Sequence, residues 1–225
     1  MTIQEVYKIY RITPALQLHQ YRVAAVATYL CAHLAGVHPR GETIDTRHIV
    51  LAGLLHDMGN IIKFNMDLFP EFFEPEGVEY WKDVKADFIN RYGSDEHIAT
   101  VEISKEVLKN VPGKARILEL IDAIGFSNAK RNAESRDYGW KIAAYSDMRV
   151  EPKGVTTLES RLSDGNKRFK LNKPGVSRHD FFVEMSEYLY TIEKQLFKGL
   201  DFTPESITEE TVQPIISTLP ETPTA

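Results

Sequence analysis

A histidine and an aspartate, His56 and Asp57, stand side by side at the end of the apolar run "LAGLLHDMGNIIKF", residues 51–64. Neighbouring side chains on a helix point about 100° apart, so the two cannot face the same core. At a helix end, however, both can turn towards one metal ion. An imidazole nitrogen and a carboxylate oxygen together suit a divalent first-row metal such as Mn, Fe, Co, Ni or Zn.

Two ligands are too few to hold an ion, so further ligands must come from other helices. His19 lies among apolar residues in the first long helical pattern, and Asp147 interrupts the otherwise apolar segment "AAYSDMRV". A lone buried aspartate is costly unless it is paired, hydrogen-bonded or bound to a metal. Asp147 is therefore a candidate partner for the same ion.

These residues need helices that position them. Thr13 is predicted as the N-cap and Pro14 as the first residue of a helix that ends near Gly36. Asp45 is predicted to cap the helix that carries "RHIVLAGLLHDMG". Gly59 is expected to let the chain turn away and leave the ion open to a substrate.

Helical periodicity continues along nearly the whole chain, without alternating strand patterns or internal repeats. We predict an all-α fold of eight or more helices: a single-domain helical bundle over residues 1–200, then a partly flexible C-terminal tail, residues 201–225. Ser94 and Ser177 are predicted N-caps of two later helices. Residues 167–173 are predicted to form a basic loop, either solvated or in contact with a phosphate-bearing ligand.

Composition limits the classes of function. The net charge of -5 argues against a general nucleic-acid binder. The single cysteine, Cys31, excludes an internal disulfide and a cysteine-based zinc cluster, and it is expected to be a small buried residue. Apolar windows fall short of the roughly 18 residues that span a bilayer, and the N-terminus lacks a signal-peptide pattern. We expect a cytoplasmic setting with no membrane partner.

The ordered set of motifs resembles the HD superfamily of metal-dependent phosphohydrolases over residues 13–162. "LHQYRVA" resembles that family's first motif, a histidine followed three residues later by an arginine and an apolar pair. "AGLLHDMG" resembles the central motif, and "YSDMRV" resembles the last one, in which an aspartate closes the metal site. The resemblance implies an HD-type helical bundle and a metal centre.

Carried over residue by residue, the resemblance implies that one divalent cation is held by His19, His56, Asp57 and Asp147. Water or a substrate oxygen would complete the coordination. Mn, Fe, Co, Ni, Zn and Mg all remain candidates for the ion. A bound cation acidifies water and polarises a phosphoryl oxygen, which is what phosphate-ester hydrolysis needs.

Four residues near these motifs are candidates for substrate binding. Arg22 lies one turn beyond the first motif and can either fork onto a phosphate or pair with a carboxylate. Lys63 can meet a phosphate or be solvated. Asn60 stands where some mononuclear nucleotidases of the family carry a glutamate, and Met148 followed by Arg149 stands where a lysine is frequent.

The general base is left open by the sequence. Asp57 and His97 are the catalytic candidates, Glu96 is another candidate base, and the metal centre alone could suffice. In relatives with two metals, a histidine near His97 binds the second ion together with another histidine one helix later. That later region, "IDAIGFSNA", has none unless Asp122 substitutes, so one ion is favoured over two.

Other sequence features have alternative interpretations. The aromatic segment "FNMDLFPEFFEPEGVEYW" could stack on a base or cover the open end of the bundle, and its position makes it the expected wall or lid of the pocket. Four histidines without a motif are expected to be surface or core residues: His33, His38, His48 and His179.

Three functions fit these features. The first is metal-dependent hydrolysis of a small phosphate ester, such as a nucleotide, with no nucleic-acid polymer as partner. The second is a non-catalytic nucleotide-binding or regulatory module that keeps the metal site. The third is a dinuclear iron oxygenase, which needs more histidine ligands than the chain offers. The aromatic-rich helix of residues 177–199 could also form a partner surface in an oligomer.

Overall fold

The structure, a computed structural model, describes residues 1–34, 44–67, 70–172 and 176–224, with side chains described up to residue 167 and from residue 179 onward within these ranges. Helices predominate there, which confirms the predicted all-α class. The α-helices are α1 (Ile3–Ile9), α2 (Pro14–Leu34), α3 (Thr46–Leu55), α4 (Val78–Tyr92), α5 (Glu96–Val107), α6 (Lys114–Ile124), α7 (Ala129–Glu134), α8 (Tyr138–Asp147), α9 (Leu158–Asn172), α10 (Val176–Leu196) and α11 (Glu209–Ile216).

Short elements connect these helices. Within the described ranges, five 3-10 helices cover Asn60–Lys63, Pro70–Phe73, Phe126–Asn128, Pro204–Ser206 and Leu219–Glu221. A two-stranded antiparallel hairpin follows α8 and consists of β1 (Val150–Glu151) and β2 (Gly154–Val155). The hairpin was not predicted, because two residues per strand are too few to show an alternating pattern.

Helix starts follow from capping side chains. The Thr13 hydroxyl accepts the Leu16 N–H at the start of α2, and the Asp45 carboxylate accepts the His48 N–H at the start of α3, both as predicted. The prediction that Ser94 caps α5 is wrong by one residue, because the Asp95 carboxylate accepts the Ile98 N–H instead. The predicted helix end at Gly36 lies outside the described residues.

The stretch from Lys167 to Asn172 belongs to α9, so the predicted basic loop is wrong over these residues. Lysine, arginine and leucine are good helix formers, which explains why the helix continues through them. Lys173 lies outside the described residues. Ser177 lies within α10 rather than before it, and its side chain is outside the described part of the structure.

The buried apolar side chains form one connected core that extends from Ile3 to Leu219. Helix α2 lies at its centre and packs against α3, α8 and α11. The two helices α2 and α3 lie close together at Gly53, where a methyl group in place of the glycine hydrogen would lie 3.2 Å from the Ala24 Cα atom. Cys31 is buried and free, as expected.

Residues 201–224, here called the C-terminal segment, pack against the helices rather than extend away from them. Val212, Ile216 and Leu219 are buried, and α11 lies against α2. Thr224 donates from its backbone N–H to the Met1 carbonyl, so the two ends of the described chain are paired. The boundary predicted between a domain at 1–200 and a tail at 201–225 stays a prediction.

In the described part of the chain, no helix is both long and apolar enough to cross a bilayer.

Candidate metal centre

The local structure around His56 leaves one ring nitrogen free for a ligand. Helix α3 ends at Leu55, and His56 is its C-cap. The Nδ1 atom of His56 lies 2.8 Å from the Gly53 carbonyl oxygen, which can only accept, so Nδ1 carries the proton. The Nε2 atom is buried and has no hydrogen-bond partner among the described residues. A buried ring nitrogen of this kind, without a hydrogen-bond partner, fits a metal ligand.

Three other side chains, those of His19, Asp57 and Asp147, lie around this nitrogen. The Asp147 Oδ1 atom lies 3.2 Å from Nε2 of His19 and 3.5 Å from Nε2 of His56. The Asp57 Oδ2 atom lies 3.6 Å from Nε2 of each histidine. Ligands bound at about 2.1 Å to one ion lie roughly 3–3.5 Å apart, so these separations match a shared ion.

Asp57 is less tightly grouped than the other three residues. His19, His56 and Asp147 each offer an atom within 4.8 Å of the others, and Asp57 falls outside that set. Within the ranges that the structure describes, this is the group of three or more histidine, cysteine or acidic residues that could hold an ion. A single metal site therefore fits the structure, with Asp57 next to it.

The centre opens to solvent on one side. The side chains of His19, Asp57 and Asp147 are 18%, 20% and 17% exposed, whereas that of His56 is 3% exposed. His56 thus lies at the floor of the site and the other three lie at its mouth. A water molecule or a substrate oxygen can reach the open side.

The charges in the cluster shift its titration. Burial lowers the pKa of His56, but Asp57 and Asp147 raise it more, so it reaches about 9. Burial raises the pKa of Asp147, and the two imidazoles more than offset this, so the pKa lies well below its usual range. In the metal-free protein at neutral pH, Asp147 is ionised and His56 holds a proton at Nε2.

Metal uptake should therefore release a proton and depend on pH. Below about pH 9 the ion must displace the His56 proton, so the apparent affinity should rise roughly tenfold per pH unit and level off above that pH. In the metal-free protein the raised pKa stabilises the fold below pH 6.5, and this contribution is lost as the pH rises through 9. Titration of Co²⁺ between pH 6 and 9 with an indicator dye measures the metal affinity and the release of the proton. A pH-independent affinity without proton release would contradict this account.

Gly59 is required by close packing rather than by an unusual backbone angle. Its φ of -93° is accessible to any residue, so the turn itself does not need glycine. A methyl group there would lie 2.4 Å from the Glu96 carbonyl oxygen, and the Gly59 N–H donates to the Thr100 hydroxyl. Gly59 thus lets the first turn of α5 pack directly on the turn that carries His56 and Asp57, here called the metal turn.

This packing places Lys63, Glu96 and His97 beside that turn. Lys63 is half exposed, and its Nζ atom lies 3.9 Å from the Glu96 Oε1 atom. The His97 Nε2 atom lies 3.7 Å from Oδ1 of Asp122, whose other oxygen accepts from Arg131. Asp122 does stand opposite His97, but in the described ranges no third ligand joins them within reach of one ion.

Two arginines that were predicted to contact the substrate, Arg22 and Arg149, form hydrogen bonds within the fold. Arg22 donates through Nε to both carboxylate oxygens of Glu209, which matches the carboxylate pair among its two predicted roles; the phosphate contact stays a prediction. Arg149 is 1% exposed, and its guanidinium donates to the Thr156 carbonyl, the Tyr145 hydroxyl and the Ile207 carbonyl. A buried guanidinium with three internal acceptors has a structural role within the fold, and the predicted substrate role of Arg149 stays a prediction.

Asn60 and the aromatic segment lie next to the metal turn. Asn60 begins a 3-10 helix and is buried. Phe73 and Trp81 are also buried, and the Trp81 indole N–H donates to the Phe73 carbonyl. These contacts favour the covering role for the segment over base stacking. Residues 68 and 69 lie outside the described ranges.

The histidines without a motif take other partners or face solvent. The His48 Nδ1 atom lies 2.7 Å from the Asp45 carboxylate, and that of His33 lies 2.8 Å from the Tyr29 carbonyl. His179 is exposed, whereas His38 lies outside the described residues.

Sequence reasoning missed two residues that support the centre. Gln20 is fully buried, and its side-chain oxygen accepts the Asp57 N–H. Tyr7 is fully buried and donates to the Leu54 carbonyl in the last turn of α3. A polar residue in the apolar face of α2 was a visible signal for Gln20. Nothing in the sequence near Tyr7 indicates its partner 47 residues away.

No protein-family model matches the chain, and comparisons with curated proteins and with solved structures found no similar protein.

Proposed function

We propose that this chain is a metal-dependent phosphohydrolase of the HD type, acting on a small phosphate ester such as a nucleotide. The observation that carries the proposal is the cluster of His19, His56 and Asp147, with the Asp57 carboxylate 3.6 Å from both imidazoles. The order of these residues along the chain and their positions on helices agree with the motif resemblance.

The residues present fit a divalent first-row ion. Two imidazole nitrogens and carboxylate oxygens are borderline ligands that suit Mn, Fe, Co, Ni or Zn. When bound, such an ion would lower the pKa of a water molecule and neutralise charge that develops on a phosphoryl oxygen. The hydrogen bond from His56 to Gly53 fixes the ring orientation before any ion arrives.

The remaining residues supply proton transfer and charge at the mouth. Asp57 is partly exposed beside the ion site, so it can accept a proton or orient a water molecule. Glu96 and His97 lie on the first turn of α5, which packs against Gly59, and are the other candidate bases. Lys63 is the exposed cation nearest in sequence to the central motif and can meet a phosphate oxygen.

Surface charge favours a small substrate over a polyanion. The segment after the metal turn carries exposed acidic side chains, which would repel a nucleic-acid backbone. These are Asp67, Glu71, Glu74, Glu76 and Glu79.

The test is phosphate release by protein stripped with a chelator and reloaded with one metal at a time. We expect hydrolysis of at least one member of a panel of nucleotides and p-nitrophenyl phosphate only after metal is added. His56→Gln should lose both metal and hydrolysis. His48→Gln, a histidine change on the same helix away from the cluster, should keep both.

Two other outcomes would replace this proposal. Tight nucleotide binding without turnover under every metal would favour a non-catalytic regulatory module. Two equivalents of iron per chain would favour a dinuclear oxygenase, with the second ion held near His97 and Asp122.

A further inference from the structure

Gln20 occupies an unusual position for a polar side chain. It is fully buried in the apolar face of α2, directly after His19. Its Oε1 atom accepts one hydrogen bond, and its Nε2 atom is buried without a partner in the part of the chain that the structure describes. Burying an amide with half of its hydrogen bonds unmade costs stability, so an apolar residue of equal size would hold the fold better.

The hydrogen bond of the Gln20 side chain joins it to the metal turn. The Asp57 N–H lies 3.3 Å from the Gln20 Oε1 atom, and the two residues are 37 positions apart. If α3 continued past Leu55, the Asp57 N–H would donate to the Gly53 carbonyl four residues earlier. That carbonyl instead accepts from the His56 ring. The Gln20 carboxamide oxygen therefore accepts the Asp57 N–H in place of the Gly53 carbonyl, which accepts from the His56 ring instead.

The crossing of α2 and α3 places the Gln20 carboxamide where it can accept this hydrogen bond. Ala24 lies one turn after Gln20 on α2. Gly53 belongs to α3 and lies one turn before Asp57, which follows the end of that helix. A methyl group on Gly53 would lie 3.2 Å from the Ala24 Cα atom, so the two backbones nearly touch there. This close crossing brings the Gln20 carboxamide to the end of α3.

We propose that Gln20 is a positioning residue of the metal centre: its side-chain oxygen ends α3 after His56 and turns Asp57 towards the ion. The hydrogen bond lets two adjacent residues, which would diverge on a continued helix, face one point. Gln20 does not touch the ion and acts through the Asp57 backbone. This inference rests on the metal site of the proposed function and does not need the hydrolysis.

The test compares metal affinity with fold stability in two variants. Gln20→Met keeps the side-chain volume and removes both polar atoms, so the metal-free protein should melt at or above the wild-type temperature. Its affinity for Co²⁺, measured against a competing chelator, should nevertheless fall about 10- to 100-fold. Gln20→Asn keeps the amide but is one methylene too short to reach Asp57, so it should lose affinity to a similar extent. The visible absorption bands of bound Co²⁺ should change in both variants, because the geometry of its ligands changes.

Gln17→Met is the matched control. Gln17 lies on the same helix, and its carboxamide donates to the Ile12 carbonyl, away from the metal turn. This variant should bind Co²⁺ as the wild type does. The inference is overturned if both Gln20 variants keep wild-type affinity and absorption, or if the wild type binds no metal. Metal binding without phosphate release would instead overturn the proposed hydrolysis and leave the role of Gln20 intact.

Discussion

Replacing Asp147 with asparagine is expected to remove the metal and, under the proposed function, to lower phosphate release about 1000-fold. Asparagine keeps the shape of the side chain but loses the negative charge that faces both imidazoles, at 3.2 Å and 3.5 Å from their Nε2 atoms. A metal that neutralises phosphoryl charge contributes several kcal/mol to the transition state, and about 4 kcal/mol corresponds to this factor. The loss should appear in kcat and not only in KM, because the ion acts on the reacting group.

A thermal shift provides a second reading that does not depend on activity. Metal at 100 times its Kd stabilises a folded protein by about 2.7 kcal/mol. For a chain of this size that is roughly 5–10 °C in Tm. Wild-type protein should show this shift with added Mn²⁺ or Co²⁺, and Asp147→Asn should not. Asp83→Asn, an exposed aspartate on α4, is the control and should keep the full shift. An unchanged shift in Asp147→Asn would remove Asp147 from the ligand set.

Most residues of the candidate metal centre could be found from the sequence because they are locally anomalous. His56 and Asp57 end an apolar run, and Asp147 interrupts an apolar helix face. The structure brings His19, His56 and Asp147 together as predicted. Helix caps such as Thr13 and Asp45 were also predictable, since a cap is decided within four residues.

The roles of the two arginines could not be found in the same way, because they depend on contacts between distant parts of the chain. Arg22 pairs with Glu209, which lies 187 residues later. Glu209 also accepts the Val155 N–H of the hairpin. The sequence motif shows that Arg22 follows His19 by one turn, but it contains no information about which surface the C-terminal segment will cover.

The C-terminal segment links the two helices that carry His19 and Asp147. Glu209 contacts Arg22 on α2, and Ile207 accepts from Arg149, two residues after Asp147. The sequence suggested a partly flexible tail because its prolines and threonines weaken helix formation. Burial of Val212 and Ile216 against the core offsets that weak propensity, and α11 forms there.

Arg149→Met is expected to destabilise the fold by about 3–5 kcal/mol and to leave KM unchanged. Methionine fills much of the space but leaves the Thr156 and Ile207 carbonyls and the Tyr145 hydroxyl without their donor. Because Tyr145 also donates to Glu193, the loss should extend to the contact between α8 and α10. A Tm roughly 6–20 °C lower is the corresponding shift at 2–4 °C per kcal/mol.

The comparison with Arg136→Met separates this structural role from a substrate role. Arg136 is exposed in the loop before α8, so its replacement should change stability by less than about 0.5 kcal/mol. If Arg149 bound the substrate, its replacement would raise KM with little change in Tm. A guanidinium that is 1% exposed cannot meet a phosphate unless the C-terminal segment moves away. A raised KM at wild-type Tm would therefore show that this segment opens during binding and would contradict the structural role.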